Sequence, residues 1–159
     1  MILLSIDPST KKSGFAVFKN SELVKFGTVV SDIATIAELM ADDLFDGRFF
    51  LAIEQQYSSF NTKSFMKLVE VRTVFETVAT LNNALGIYTI PANSWQSYIL
   101  GTNNRIKRKE RKALSLERTH DIFGFEISND NIADAILIGY YTIEMMPKLK
   151  KYFKQEVLK

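Results

Sequence analysis

MILLSIDPSTKKSGFAVF, residues 1–18, is the stretch from which the rest of the chain is read. Residues 2–6 form an apolar run without helical period, as in a strand covered on both faces in the middle of a sheet. Asp7 follows at its end, a carboxylate carried to the edge of a core that would not tolerate it further in. Pro8, Ser9 and Thr10 turn the chain, Gly14 permits a tight re-entry, and residues 15–18 read as a second strand hairpinned to the first. An acid at the tip of a central strand, facing a polar turn, suits metal or phosphate chemistry. The plainer alternative is an Asx-turn from Asp7 to Ser9 or Thr10.

Outward from that hairpin, residues 22–30 extend it into a third strand, with Gly27 as a candidate bulge. Asp32 is placed to cap a helix carrying Ile33, Ile36, Ala37, Leu39 and Met40 that fades at Asp46 and Gly47. Residues 49–53 repeat the opening pattern and deliver Glu54 to the end of another inner strand. A polar loop holding Phe60 leads to a long helix over residues 62–84. On its wheel Phe65, Leu68, Val69, Phe75 and Ala79 share one side, with Val71, Val74, Val78, Leu81 and Leu85 nearly opposite. One face covers the sheet, and the second needs a later helix or a second copy of the chain.

Residues 87–90 form a short strand closed by Pro91. A helix over residues 93–100 carries Trp95, which reads as core beside Tyr98 and Ile99, and ends at Gly101. The next helix runs to Phe123, packing Ala113, Leu114, Leu116 and Phe123 while its bases face water. His120 in that helix reads as structural or exposed. Ser128 or Asn129 caps a last helix with Asp130, Asn131 and Asp134 in its first turns. Asp134 shares a face with both neighbours, although acids there also complement the helix dipole. Pro147 and the lysine-rich end close the unit, so residues 1–159 read as one α/β domain: a mixed five-stranded sheet, its first three strands antiparallel, flanked by helices.

Composition narrows the chemistry. The chain has 159 residues and no cysteine, which excludes disulfides, thiolate zinc sites and thiol catalysis and fits a cytoplasmic setting. No apolar stretch reaches the length of a membrane span, and the apolar start lacks the basic leader of a signal peptide. A net charge of +2 hides an asymmetry. Arg105, Lys107, Arg108, Lys109, Arg111 and Lys112 crowd one short segment, five lysines gather near the C-terminus, and the remaining chain is acidic. A basic patch on an acidic body points to a polyanion partner, against the alternative of a solvated helix face. Acids at the ends of two inner strands and early in the last helix are what a two-metal phosphodiester hydrolase needs. Hard Mg²⁺ takes oxygen ligands, and two such ions roughly 3.5–4 Å apart activate water and stabilise a leaving 3′-oxygen.

IDPSTKKSGFAVF (6–18), AIEQQY (52–57) and NDNIADAILIGYY (129–141) resemble, in order and spacing, the three active-site motifs of the RuvC family of Holliday-junction resolvases. That family lies within the RNase H-like superfamily, and the shortness of this chain is similar to phage-encoded members. The resemblance implies a homodimeric endonuclease that nicks four-way DNA junctions symmetrically with Mg²⁺ or Mn²⁺, two ions per site and no small-molecule cofactor. It makes Asp7, Glu54 and Asp134 the metal-binding carboxylates. The family's fourth acid falls at Asn131, which offers a carbonyl but no charge, and Asp130 is the favoured substitute. Tyr57 matches an aromatic that stacks on opened bases, a role Phe60 could share. Lys107 matches a basic residue near the scissile phosphate, with Arg105, Arg108, Lys109, Arg111 and Lys112 as further DNA contacts. The long two-faced helix matches the family's dimer interface. Three alternatives stay open: another RNase H-like nuclease acting on forks or RNA/DNA hybrids, a non-catalytic nucleic-acid-binding relative of the YqgF type, and a sugar-kinase or actin-like ATPase. The last needs a second lobe and further phosphate loops.

Overall fold

A computed structural model describes residues 1–45, 48–57, 61–101 and 106–153, with residues 146–153 described by backbone alone. Five strands, β1 (Ile2–Asp7), β2 (Lys12–Lys19), β3 (Glu22–Val30), β4 (Phe50–Gln55) and β5 (Gly86–Pro91), form one sheet in the order β3-β2-β1-β4-β5. The first three are antiparallel neighbours, whereas β4 runs parallel to both β1 and β5. This is the mixed sheet expected from the sequence. A register shift between Val17 and Phe18 leaves Val24 unpaired on β3, so the bulge lies near Val24 rather than at Gly27. Gly27 instead lies under the Phe15 ring.

Strand alternation divides the core into two layers. On one face Leu4, Ile6, Leu51 and Ile53 pack against α1 (Ile33–Met40) and α2 (Thr62–Leu81). Asp32 caps α1 by accepting from the Thr35 N–H at 2.9 Å, and Asn61 caps α2 by accepting from Ser64 at 3.1 Å. The expected loss of helix at Asp46 and Gly47 lies outside the described residues. The buried stripe of α2 is Val71, Phe75, Val78 and Ala79, spaced i, i+4, i+7, i+8. Val71 and Val78 therefore belong with Phe75 and Ala79, not opposite them, and only the ends of the supposed second face, Leu81 and Leu85, project outward with Met66.

On the other face Leu3, Ala16, Phe18 and Ala52 meet α5 (Asp130–Phe153), with α4 (Arg108–Phe123) packed outside it. The Ser5 hydroxyl donates to the Ala135 carbonyl at 2.7 Å, tying α5 to the central strand. Segment 92–100 is one α-turn, α3 (Ala92–Trp95), followed by a wider π-turn (Gln96–Leu100) that ends at Gly101 in the left-handed conformation. The hydroxyls Ser115 and Thr119 are fully buried on α4, and Ala113 is exposed. The expected apolar face of α4 is thus partly a small-residue face, which lets two helices approach. Asn129 caps α5, accepting from the backbone N–H groups of Asn131 and Ile132. That helix passes through Pro147 to Phe153. A proline there removes one backbone donor, while its fixed φ remains helical.

Candidate active site

Register brings the two strand-end acids together. Ile6 pairs with Ile53 across the parallel β1–β4 ladder, so Asp7 and Glu54 stand side by side one residue further on. Both follow the alternation of Ser5 and Ala52, which places them on the α5 face of the sheet. The first turns of α5 arrive at the same point and supply Asp130, Asn131 and Asp134. With Pro8, Ser9, Thr10 and Gln96 these residues line an open cleft of about 590 Å³ that Arg108, Arg111 and Lys112 also line.

The turn between β1 and β2 is held by serines. The Ser9 N–H donates to Ser13 Oγ at 3.1 Å, and Ser31 Oγ donates to the Ser9 carbonyl at 2.7 Å. The Ser9 donor of the alternative Asx-turn is therefore already taken by Ser13. At the end of β4 the Gln56 side chain donates to the Glu54 carbonyl at 2.8 Å. Glu54 Oε2 accepts from Trp95 Nε1 at 2.8 Å.

Burial first, and crowding after it, raises the proton affinity of these acids. Burial pushes the Asp7 carboxyl well above its usual range; the charges of Glu54, Asp134 and Asp130 add to this, and Lys112 opposes it. Burial lifts Glu54 to about 7, against the Trp95 hydrogen bond and Arg111, with Asp134 adding to the rise. Asp134 rises to about 6 through burial, countered first by the Ser115 hydroxyl, with Asp130 raising it and Lys112 and Arg111 lowering it. Asp134 Oδ1 and the Ser115 hydroxyl are both buried without a hydrogen bond of ordinary geometry, so the hydroxyl acts on the carboxylate only by proximity. Lys112 pairs with Asp130, and Asn131 turns its amide to donate to the Lys12 carbonyl at 3.3 Å.

Hard oxygen donors, mutual carboxylate repulsion and an orphaned buried carboxylate oxygen fit a divalent cation of the Mg²⁺ class. Among the described residues no three of these groups already stand at metal-holding distances, in keeping with Lys112 and Trp95 occupying two of the acids.

Placement of the remaining candidates is uneven. Arg108, Arg111 and Lys112, at i, i+3 and i+4 on α4, turn one face into the cleft. Lys107 is the exposed N-cap of α4, its N–H donating to Glu110 at 3.2 Å, and Lys109 is exposed; neither lines the cleft. Tyr57 is 51 % exposed and donates its hydroxyl to Asn93 Oδ1 at 3.2 Å. It borders a second cavity of about 450 Å³ with Asn93, Gln96 and Arg111. Phe60 and Arg105 lie outside the described residues. Trp95, Gln96 and Ser115 were not singled out as site residues by the sequence. A buried indole needs an acceptor, but nothing in the chain's order pairs it with an acid 41 residues away.

A family profile matches residues 8–144, under the description Lactococcus phage M3 protein. The chain belongs to that family. The matched span includes Glu54, Asp130 and Asp134 and begins one residue after Asp7. No match is found among curated proteins. Among solved structures, Thermus thermophilus RuvC superposes with a TM-score of 0.69 at 14% identity, over 93% of this chain and 96% of that one. T. thermophilus RuvC in complex with a Holliday junction substrate gives 0.71 at 14% identity with the same coverage. The fowlpox virus Holliday junction resolvase gives 0.62 at 16% identity, over 91% and 99%. At such identities the likeness establishes a shared fold, so this member of the phage family has the RNase H-like architecture implied by its motifs.

Proposed function

We propose that the chain is a metal-dependent endonuclease that resolves four-way DNA junctions. The observation that carries this reading is the cleft itself, lined both by Asp7, Glu54 and Asp134 and by Arg108, Arg111 and Lys112. The acids suit cations and the bases suit phosphates. T. thermophilus RuvC and the fowlpox virus resolvase, which share this fold, have been solved with Holliday junction DNA, which makes branched DNA the favoured polyanion.

Asp7, Glu54 and Asp134 would hold Mg²⁺, or Mn²⁺ in its place, with Asp130 as the fourth group once Lys112 releases it. Bound there as a pair, the ions would polarise the phosphate and lower the pKa of the attacking water. Arg108 and Arg111 orient the phosphodiester by charge-assisted hydrogen bonds, which guanidinium groups make in pairs. Water would add to phosphorus and lose a proton to solvent as the bond to the 3′-oxygen breaks, and the departing oxygen would take up a proton in turn. Tyr57, anchored through Asn93, offers a ring for an unpaired base at the junction centre, where stacking contributes roughly 1–3 kcal/mol per base. Symmetric nicking calls for two such clefts, and the outward Met66, Leu81 and Leu85 offer an apolar face to a second copy.

The test uses labelled four-way, three-way and duplex DNA with and without Mg²⁺. Asp7→Asn and Glu54→Gln abolish cleavage while junction binding survives, because phosphate contacts lie elsewhere. Parallel loss of binding and cutting would assign these acids to the fold instead.

A further inference from the structure

Trp95 is fully buried, and its indole N–H meets one oxygen of Glu54 at 2.8 Å. An indole is a donor only, so this bond runs one way and needs an acceptor that stays in place. The ring is buried in one core cluster with Ile90, Ile99 and Leu100. Its turn follows directly from β5, whose parallel pairing sets Ile90 opposite Glu54. Core packing alone would be served by any large apolar ring, and it gives no reason for a donor aimed at a cleft acid.

We propose that Trp95 is a positioning residue for Glu54, its indole N–H holding one carboxylate oxygen so that Glu54 meets a divalent cation through the other. The inference rests on the metal-site reading above. A carboxylate free to rotate about its last bond would sample several orientations, and the ordering would have to be supplied when the ion binds. A hydrogen bond from a locked ring supplies it beforehand, as outer-sphere partners do for ligating groups generally.

Trp95 is the chain's only tryptophan, so one indole N–H resonance reports on this bond. The experiment titrates Mg²⁺ into the full chain without DNA, followed by calorimetry and by that resonance. Trp95→Phe keeps a ring but removes the donor. It is expected to weaken Mg²⁺ binding by about 10–100-fold, the usual consequence of losing an outer-sphere partner. Its circular dichroism and metal-free junction binding should match the parent, and in a Glu54→Gln background the same change should cost no further affinity. In the parent, the indole resonance should move with the calorimetric midpoint, and Glu54→Ala should displace it before any metal is added. Unchanged Mg²⁺ affinity in folded Trp95→Phe overturns the inference. Should that variant not fold, an indole resonance in the same place in the parent and in Glu54→Ala overturns it equally. A parent chain that binds no Mg²⁺ fails differently, since it removes the metal-site reading and this inference with it.

Discussion

Asp130 and Asn131 differ by one position on α5 and by one formal charge, and the fold puts them to different uses. Asn131 donates its amide to the Lys12 carbonyl, a link between α5 and β2. Asp130 lies in the cleft against Lys112, within range of Asp7 and Asp134. A carboxylate neutralises metal charge where an amide carbonyl does not. Asp130→Ala should therefore raise the Mg²⁺ concentration needed for half-maximal cleavage well above that of the parent. Asn131→Ala should leave that midpoint nearly unchanged and cost about 1 kcal/mol of stability, the worth of one hydrogen bond. Cleavage against Mg²⁺ for both variants, with a denaturant curve for each, separates the two roles. Equal midpoints for both variants and the parent would leave a site of three carboxylates.

Between elements, the approach of β2 to the first turn of α5 sets the depth of Asp134. A Cβ on Gly14 would lie 1.9 Å from the Asn131 carbonyl oxygen, a backbone atom that cannot swing aside. Gly14→Ala should destabilise the chain by roughly 1–3 kcal/mol, as overpacking does, and should impair cleavage more than binding. Urea unfolding and junction assays on the same preparation check this, and a variant with parental stability and rate would show that the two elements separate freely. On α4 the helical period sorts the bases. Alanine at Arg108, Arg111 and Lys112 should flatten the dependence of log K on log salt by about 0.9 per lost phosphate contact. Alanine at Lys107 and Lys109 should change that slope much less. Binding measured across a salt series decides it; equal slopes for the triad and the pair would mean that the cleft bases do not grip DNA.

For the whole molecule, the buried acids give stability a pH dependence opposite to that of ordinary ion-paired carboxylates. Asp7, Glu54 and Asp134 all hold their protons more tightly in the folded chain than free carboxyl groups do. The native state therefore binds more protons than the unfolded state, and stability falls as pH rises. The loss begins near the unfolded values around 4 and, for Asp134 and Glu54, is complete once pH passes about 6 and about 7. Without divalent ions the penalty should be on the order of a few kcal/mol by pH 8. Mg²⁺ should recover much of it at pH 8 and little at pH 5. Melting curves at the two pH values with and without Mg²⁺ measure this, and a chain equally stable at both in the absence of metal would contradict it.

Strand and helix periods, the apolar runs that end in Asp7 and Glu54, and the capping of α1 and α5 are local properties, set by side-chain type and by neighbours a few residues away. They were legible in the chain's order, as was the mixed sheet that follows from a hairpin succeeded by crossovers. That Asp7 and Glu54 close inner strands was legible for the same reason, because a charge beside a buried apolar run is held at its edge. Packing across the fold decided the rest. The stripe of α2 that is buried depends on where the sheet lies, and a wheel drawn on the helix alone misassigned Val71 and Val78. Which bases enter the cleft depends on the rotation of α4 about its axis, set by the buried Ser115 and Thr119 and not by the basic run itself. The Trp95–Glu54 bond, the Lys112–Asp130 pair and the contact of Gly14 with Asn131 join positions 41, 18 and 117 residues apart. No local preference encodes such pairs, because each exists only after the sheet register and the seating of α5 have brought its two members together.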